Sequence, residues 1–332
     1  MATTEEGTLA HPPVAIRDFQ PEDYPAVVDI ANLLFPDHTT TVSEERFHDE
    51  RFDRGGFLRR RSVAVDAATD AVIGELSFKH MPWAFHPQRF GIWIAVHPQR
   101  HRQGIGRLLY ARLMEELQGR RATTVRTWVQ EPKADAVAWL ARRGFRELHR
   151  SWESRLDVAA FDPARFAEEA EVPPGIKVVT LADELKEDPE RLRQVYEMDN
   201  DLSLDVPRVD PFTPPGFGMF RDFVLAGPHA LPEAFFLAKD GDAYVGVSNL
   251  ELVESLPGTI NTGFTGVRRE YRGRRIAMHL KLRAIDYAKR HGYRWIRTGN
   301  SSLNAPMLGI NMKLGFIKEI VWITMGKDLS EA

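Results

Sequence analysis

The chain has 332 residues, of which 43% are hydrophobic and 27% charged, with a net charge of -3. That balance is globular, long enough for two ordinary domains, and without the basic excess that marks nucleic-acid binding. There is no cysteine, which excludes disulfides, thiolate metal sites and a cysteine nucleophile.

The opening "MATTEEGTLAHPP" is acidic and lacks an apolar core, so it reads as a loose tail rather than a secretory signal. A short strand, "VAIRDF", follows, and then a helix in which Tyr24, Val27, Val28, Ala31 and Leu34 share one face. "RRR" at Arg59 to Arg61 reads as a helix end, where cations suit the C-terminal dipole. "SVAVD" and "AVIGELSF" flank "AATD" as a hairpin-like pair. An apolar strand, Ile92 to Val96, runs into the turn "VHPQRHRQGIGRLL", and a helix follows with Ile105, Leu108, Leu109, Leu113 and Leu117 as its apolar stripe. The strand "TVRTWV", a helix ending in Gly144-Phe145 and a last strand complete this half. In the stretch "AAFDPARFAEEAEVPPG", Asp162 and Pro163 start a short helix that Pro173, Pro174 and Gly175 stop.

The same order then returns. "IKVVTL" is a strand, and "DPERLRQVYEM" is a helix with Asp188 as N-cap, Pro189 in first position and Leu192, Val195 and Tyr196 as its stripe. "FFLAKD" and "AYVGVSNLEL" pair about Gly241-Asp242. The turn "VRREYRGRRIAMHL", the strand "WIRTGN" and a helix ending in Gly315-Phe316 come next. The copies align without a gap: Val96 meets Val267 and Phe145 meets Phe316, since 267 − 96 and 316 − 145 are both 171. Two copies are too few for a solenoid. The expectation is therefore an α/β chain of two tandem domains, each a mixed sheet with the order β-α-α-β-β-β-α-β-α-β. The first spans 12–158, the linker 159–175 and the second 176–330. The chain is then a monomer built as a pseudo-dimer, or a homodimer.

A strand that ends in a tight turn opening a helix presents backbone N–H groups without intrahelical partners, and the helix dipole adds positive potential. That arrangement holds an anion, most simply a phosphate. The turn is not a nucleotide P-loop, because it ends Gly106-Arg107-Leu108, and it is not a dinucleotide fingerprint, because Leu109 replaces the third glycine. Instead, "VHPQRHRQGIGRLL" and "VRREYRGRRIAMHL" resemble motif A of the GNAT superfamily of N-acetyltransferases, whose core is Arg/Gln-x-x-Gly-x-Gly/Ala after a strand. "NAPMLGINMKLGF", Asn304 to Phe316, resembles that family's motif B. The tandem arrangement is similar to that of mycothiol-synthase-type proteins.

The resemblance implies acetyl-CoA as co-substrate, seated where two central strands splay apart, with its pyrophosphate on the motif A turn. In the first copy it implicates Ala95 and Val96 on the strand, then Arg102, Gln103, Gly104, Ile105, Gly106 and Arg107 on the turn. In the second it implicates Thr265, Gly266 and Val267, then Arg272, Gly273, Arg274, Arg275, Ile276, Ala277 and Met278, with Asn304 at the start of the next helix. His101 stands at the Arg/Gln position and Lys133 at the asparagine position of the first copy, and Arg275 replaces the first glycine of the second. The presence of Arg272 and Asn304 makes the second copy the favoured catalyst.

The implied reaction is acetyl transfer to a primary amine of a small molecule or peptide. Such an amine, with a pKa near ~10.4, is neutral in only about one molecule in 2,500 at pH 7, so a base is needed. Strand-borne candidates are Glu75 in the first copy and Glu251 or Glu254 in the second, with Val96 and Val267 as amide donors to the oxyanion. Many family members protonate the departing thiolate with a tyrosine, but Leu140 and Asn311 occupy that position here. A thiol of pKa ~8.5 leaves as thiolate at a cost of roughly 2 kcal/mol at neutral pH, so solvent can supply the proton. The alternative function is a non-catalytic acyl-CoA-binding or sensing protein.

His97 and His101 are spaced four apart, but Pro98 lies between them and no acidic third ligand is near, so no metal is expected. "RREYRGRR" falls inside the repeat, which assigns its charge to CoA phosphates rather than to RNA. Asp199, Asp201 and Asp205, in an acidic, proline-rich segment, are candidates to attract a cationic amine, or form a surface loop. No apolar run approaches the ~20 residues of a membrane span, and a cytoplasmic protein without membrane or nucleic-acid partners is expected.

Overall fold

The computed structural model describes residues 14–330; the expected N-terminal tail lies outside them. The first half runs β1 (Val14–Asp18), α1 (Tyr24–Leu34), α2 (Val42–Arg54), β2 (Arg59–Asp66), β3 (Val72–Lys79), β4 (Arg89–Val96), α3 (Ile105–Gly119), β5 (Thr124–Gln130), α4 (Ala134–Ala141) and β6 (Arg146–Asp157). The connecting segment carries the short α5 (Ala167–Ala170). The second half runs β7 (Lys177–Thr180), α6 (Leu181–Glu187), α7 (Arg191–Ser203), α8 (Phe217–Leu225), β8 (Phe235–Asp240), β9 (Ala243–Leu252), β10 (Thr259–Val267), α9 (Ile276–Arg290), β11 (Trp295–Ser301), α10 (Ala305–Leu314) and β12 (Ile317–Asp328).

Both halves are mixed α/β units, and three expected details change. The arginines at 59–61 begin β2 rather than end a helix, because Arg59 and Arg61 face Glu45 and Asp49 of α2, which neutralise them. The second half has helices beyond the expected pair. Thr180 caps α6 by accepting from the Asp183 amide at 3.1 Å, so α7 starts only at Arg191, and α8 forms inside the proline-rich segment. On α3, Ile105, Leu109, Leu113 and Leu117 lie at four-residue steps and are buried against the sheet, whereas Leu108 falls off that stripe and is exposed. Residue 74, where the helix packs on β3, is glycine: a Cβ there would sit a tight 3.2 Å from Leu109 Cδ1 and 3.0 Å from the Ala95 carbonyl.

All twelve strands form one sheet in the order β1-β2-β3-β4-β5-β12-β6-β11-β10-β9-β8-β7. The last strands are exchanged. β12, from the end of the chain, pairs with β5 of the first half, β6 pairs with β11 of the second, and β6 and β12 pair antiparallel at the centre. The pseudo-dimer expected from the repeat is thus a continuous sheet, and neither half has all its strands within its own stretch of sequence.

Loops reinforce the exchange in both directions. His38, after α1, donates to Glu153 on β6, which also accepts from the Trp322 indole of β12 at 2.7 Å. Ser255 of the second half donates to the Thr39 carbonyl at 2.7 Å. In return, Asp210 of the second half takes both Nε and Nη2 of the buried Arg126 at 3.1 Å.

A chain joined in this way should unfold as one unit. Denaturant unfolding followed by far-ultraviolet circular dichroism and by tryptophan fluorescence should give coincident transitions. Removal of β12 should leave the first half without a stable fold, because β5 and β6 then face an empty position. Two separated transitions, or a well-folded chain ending before residue 317, would contradict the coupling.

Candidate active sites in the two halves

In each half the central parallel pair separates. β4 pairs with β5 only from Arg89 to Gly91, and β10 with β11 only from Thr259 to Thr262. Beyond those points the strands leave a notch. The amide of His97 donates to the Ile73 carbonyl and that of Arg268 to the Val245 carbonyl, both at 2.9 Å and both toward the antiparallel neighbour. Antiparallel pairing alternates every residue, so the amides of Val96 and Ile94, and of Val267 and Thr265, point the other way, into the notches.

The turns that follow share one backbone. Left-handed residues fall at Arg102 and Gly104 in the first turn and at Gly273 and Arg275 in the second, positions related by the same offset of 171. Each turn pairs one glycine with one arginine in this conformation, in opposite order. An arginine there costs roughly a kilocalorie per mole relative to glycine. His101 donates through Nε2 to the Val96 carbonyl at 2.9 Å, and Arg272 donates through Nε to the Val267 carbonyl at 3.1 Å. The two side chains at the Arg/Gln position therefore perform one task, tying the turn back to the strand end.

The surroundings of the two turns differ. A cavity of about 690 Å³ follows the first, walled by Ala95, Val96 and the turn residues 102 and 104–107. Gln103 turns away toward the Gln99 carbonyl. Arg107, Lys133 and Arg142 give the cavity positive charge, and Phe35, Trp93 and Trp128 add aromatic rings to its wall. Glu75, expected as a base here, lies elsewhere: it is buried beneath α2, 2.7 Å from Arg61 Nε. Its place on β3 is opposite Ala95, whereas Glu251 on β9 is opposite Asn261, so the two glutamates are not counterparts.

At the second turn the basic side chains already have partners. Arg269 and Arg272 hold Asp205, and their hydrogen bonds lower its carboxyl pKa to about 2. Arg275 pairs with Glu168 at 2.6 Å, Arg274 donates to the Pro174 carbonyl at 2.9 Å, and Lys313 meets Glu169. The connecting segment thus lies across this turn. Ile276 and Met278 are buried in the core, so they can offer a ligand only their backbones. Thr265 shares a hydroxyl bond with Ser248 at 2.9 Å. Asn304 caps α10 by accepting from the Met307 amide at 3.3 Å. Asn311, at the missing-tyrosine position, donates to Asn300 at 2.6 Å and keeps a buried Oδ1 without a partner.

A second cavity, of about 650 Å³, reaches the notch of the second half and is walled by Thr262, Gly263, Phe264, Thr298 and Gly299 at that end. Here β10 carries a bulge that β4 lacks. Thr262 pairs with Leu250 and Thr265 with Ser248, so Gly263 and Phe264 together oppose Asn249. Asn249 Oδ1 accepts from the Phe264 amide at 2.6 Å, while its Nδ2 donates to Glu251 Oε1 at 3.2 Å. Glycine at 263 leaves room for these two side chains, since a Cβ would lie 2.0 Å from Glu251 Oε1 and 2.4 Å from Asn249 Nδ2 and would force them to move. Burial raises the pKa of Glu251 above the ordinary carboxylate value. Asp199 also lines this cavity, and burial lifts it to about 7. Asp201 and Asp205 lie outside it, paired with Arg268 and with the turn, and Glu254 is exposed near Thr41. Sequence reasoning missed the other contributors, His38, His48, Arg51, Glu153 and Arg208, because nothing local marks them; the sheet and its loops gather them from both halves.

Among the described residues, no helix is long and apolar enough to cross a membrane. No curated protein sequence matches the chain. Three solved structures share its fold along nearly the whole length. A GCN5-related N-acetyltransferase from Sphaerobacter thermophilus is 19% identical, with 95% of each chain covered and a TM-score of 0.69. A tandem GNAT protein from the clavulanic acid biosynthesis pathway is 21% identical, with 95% of this chain and 98% of the other covered and a TM-score of 0.73. A putative acetyltransferase from Pyrococcus horikoshii is 16% identical, with 98% and 93% covered and a TM-score of 0.56. The acetyltransferase (GNAT) family matches residues 25–145 and again 192–316. The two notches and the two phosphate-type turns fall within those matches, and the chain belongs to the GNAT acetyltransferase family, with acyl-CoA as co-substrate and one family domain in each half.

Proposed function

We propose that the protein transfers acetyl from acetyl-CoA to a primary amine of a small molecule or peptide, that the second half is the catalyst, and that the first half is a second CoA site. One observation carries the assignment to the second half: its notch alone opens beside a bulge into a cavity in which a half-buried carboxylate, Glu251, is packed against that bulge. Bulges are a recurrent means of re-aiming backbone groups at reacting atoms. The strands beside the first cavity carry no such bulge, and Glu75 lies away from it, which suits holding the cofactor without chemistry.

In this reading Glu251 takes a proton from the ammonium of the acceptor. The freed nitrogen forms a bond to the thioester carbon, and the negative charge that develops on the carbonyl oxygen is met by the Thr265 or Val267 amide. The carbon–sulfur bond then breaks. The thiolate leaves, and the second proton of the attacking nitrogen, which the product amide cannot keep, passes through solvent to the thiolate, since Asn311 cannot supply one. A carboxylate whose pKa is raised is a stronger base near neutral pH, at the expense of being protonated in mild acid.

Glu251→Gln should lower kcat by about 100-fold, leave acetyl-CoA binding unchanged, and abolish the fall in rate on acidification that protonation of Glu251 causes. Thiol release measured across pH checks this, and near-normal turnover by the variant would remove Glu251 from the role. Gly263→Ala should push the Glu251 carboxyl out of place and cost roughly 10-fold or more in kcat, with circular dichroism unchanged. Wild-type rates from that variant would show that the close packing at the bulge is not used in the reaction.

A further inference from the structure

The second cavity is lined by arginines that acetylation of a simple amine does not use. Arg51 comes from α2 of the first half and is only 5% exposed. Its guanidinium lies 5.1 Å from the Phe223 ring and 5.9 Å from the Phe47 ring, and its Nε has no hydrogen-bond partner. Among the described residues no carboxylate comes within ion-pairing distance of it, and Glu251 and Asp222 act on it only through longer-range attraction. Burial accordingly lowers its pKa. Two further arginines line the same space. Arg208 is stacked 4.9 Å from the Phe212 ring, and Arg297 spends one nitrogen on the Asp37 carbonyl and leaves Nε unpartnered. Neither has a carboxylate partner among the described residues. Of the acidic side chains in the cavity, Glu153 is already committed to His38 and Trp322.

A buried guanidinium without a carboxylate in direct contact is costly, and the cost falls when a ligand supplies a paired anion. A planar carboxylate matches the two-pronged donor face of arginine. Glu251 and Asp199 are in the same cavity to meet an ammonium group. We infer that the acceptor is an amino-carboxylate, its carboxylate held by Arg51 with Arg208 near the rim, and its amine delivered to Glu251. The inference rests on the proposed function and names the substrate class of that same site. The second half supplies the base and the notch, and the first half supplies the residue that selects the substrate.

The test uses the full-length protein and sets of three matched compounds: an α-amino acid, its amide and its decarboxylated amine, with phosphoethanolamine as a phosphate-bearing comparison. Calorimetry without acetyl-CoA measures binding, and thiol release with acetyl-CoA measures turnover. The wild-type protein should favour the carboxylate member of a set by about 30-fold or more in affinity and in kcat/KM. Arg51→Gln should abolish that preference, chiefly through KM, while Arg51→Lys should restore part of it. Should Arg51→Gln fail to fold, Arg208→Gln should still weaken the preference severalfold. Glu251→Gln should keep the binding preference. Equal treatment of the three members, preference for the decarboxylated amine or for phosphoethanolamine, or an unaltered preference in Arg51→Gln would overturn the inference. Turnover restricted to amines without a carboxylate would overturn it while leaving the acetyltransferase reading intact. Binding of amino acids that depends on Arg51, with no thiol release from any of them, would support the anion site and refute the reaction.

Discussion

The antiparallel pairing of β6 with β12 is the constraint on which the rest of the structure depends. Each half gives its last strand to the sheet of the other, so the halves are fixed edge to edge and their loops reach across. That fixed geometry turns α2, a helix of the first half, into a wall of the second half's cavity. His38, Glu153 and Trp322 sit where the two exchanged strands meet the loop after α1, and they join the sheet to that wall. A cavity walled from both halves needs their relative placement held to a fraction of an ångström, and a shared sheet provides this more firmly than a flexible linker could.

The repeat has kept the backbone of its turns and changed what surrounds them. Both turns use two left-handed residues at equivalent positions, and both tie the turn to the strand end with a nitrogen-bearing side chain. Around that common frame the halves diverge. The first has an open, positively charged cavity with aromatic rings in its wall. The second has arginines already paired with Asp205 and the connecting segment, a bulge in β10, and a cavity walled from both halves on the way to the notch. Acetyl-CoA at the second turn would meet side chains already engaged with carboxylates, so its phosphates would displace Glu168 or Asp205 rather than fill a free site. At the first turn they would meet Arg107 and Arg142 in a cavity already open.

Much of this was legible in the sequence because it is local. The hairpin about Gly241-Asp242 has the strand limits that the alternating pattern gives, and the gapless repeat predicts the equivalence of the turns, including the left-handed conformation demanded of Arg275. What was not legible depends on long-range packing. A strand pattern does not say which half it will join, so the exchange of β6 and β12 is invisible in the repeat. Glu75 and Glu251 look alike as acids on strands, yet one faces Arg61 beneath α2 and the other faces a glycine at a bulge. Arg51 sits in the charged stretch "VSEERFHDERFDR", where a solvated surface is the natural reading, and only the second half makes it a buried residue. The missing tyrosine was legible, but the partnerless Oδ1 of Asn311 in its place was not.

The central claim is that chemistry occurs in the notch of the second half, facing a cavity built by both halves. A crystal structure with acetyl-CoA tests it most directly. The account predicts the thioester carbonyl within hydrogen-bonding distance of the Thr265 or Val267 amide, with the acetyl group facing the cavity that holds Glu251. Acetyl-CoA found at the first turn alone, with the second notch empty, would contradict it.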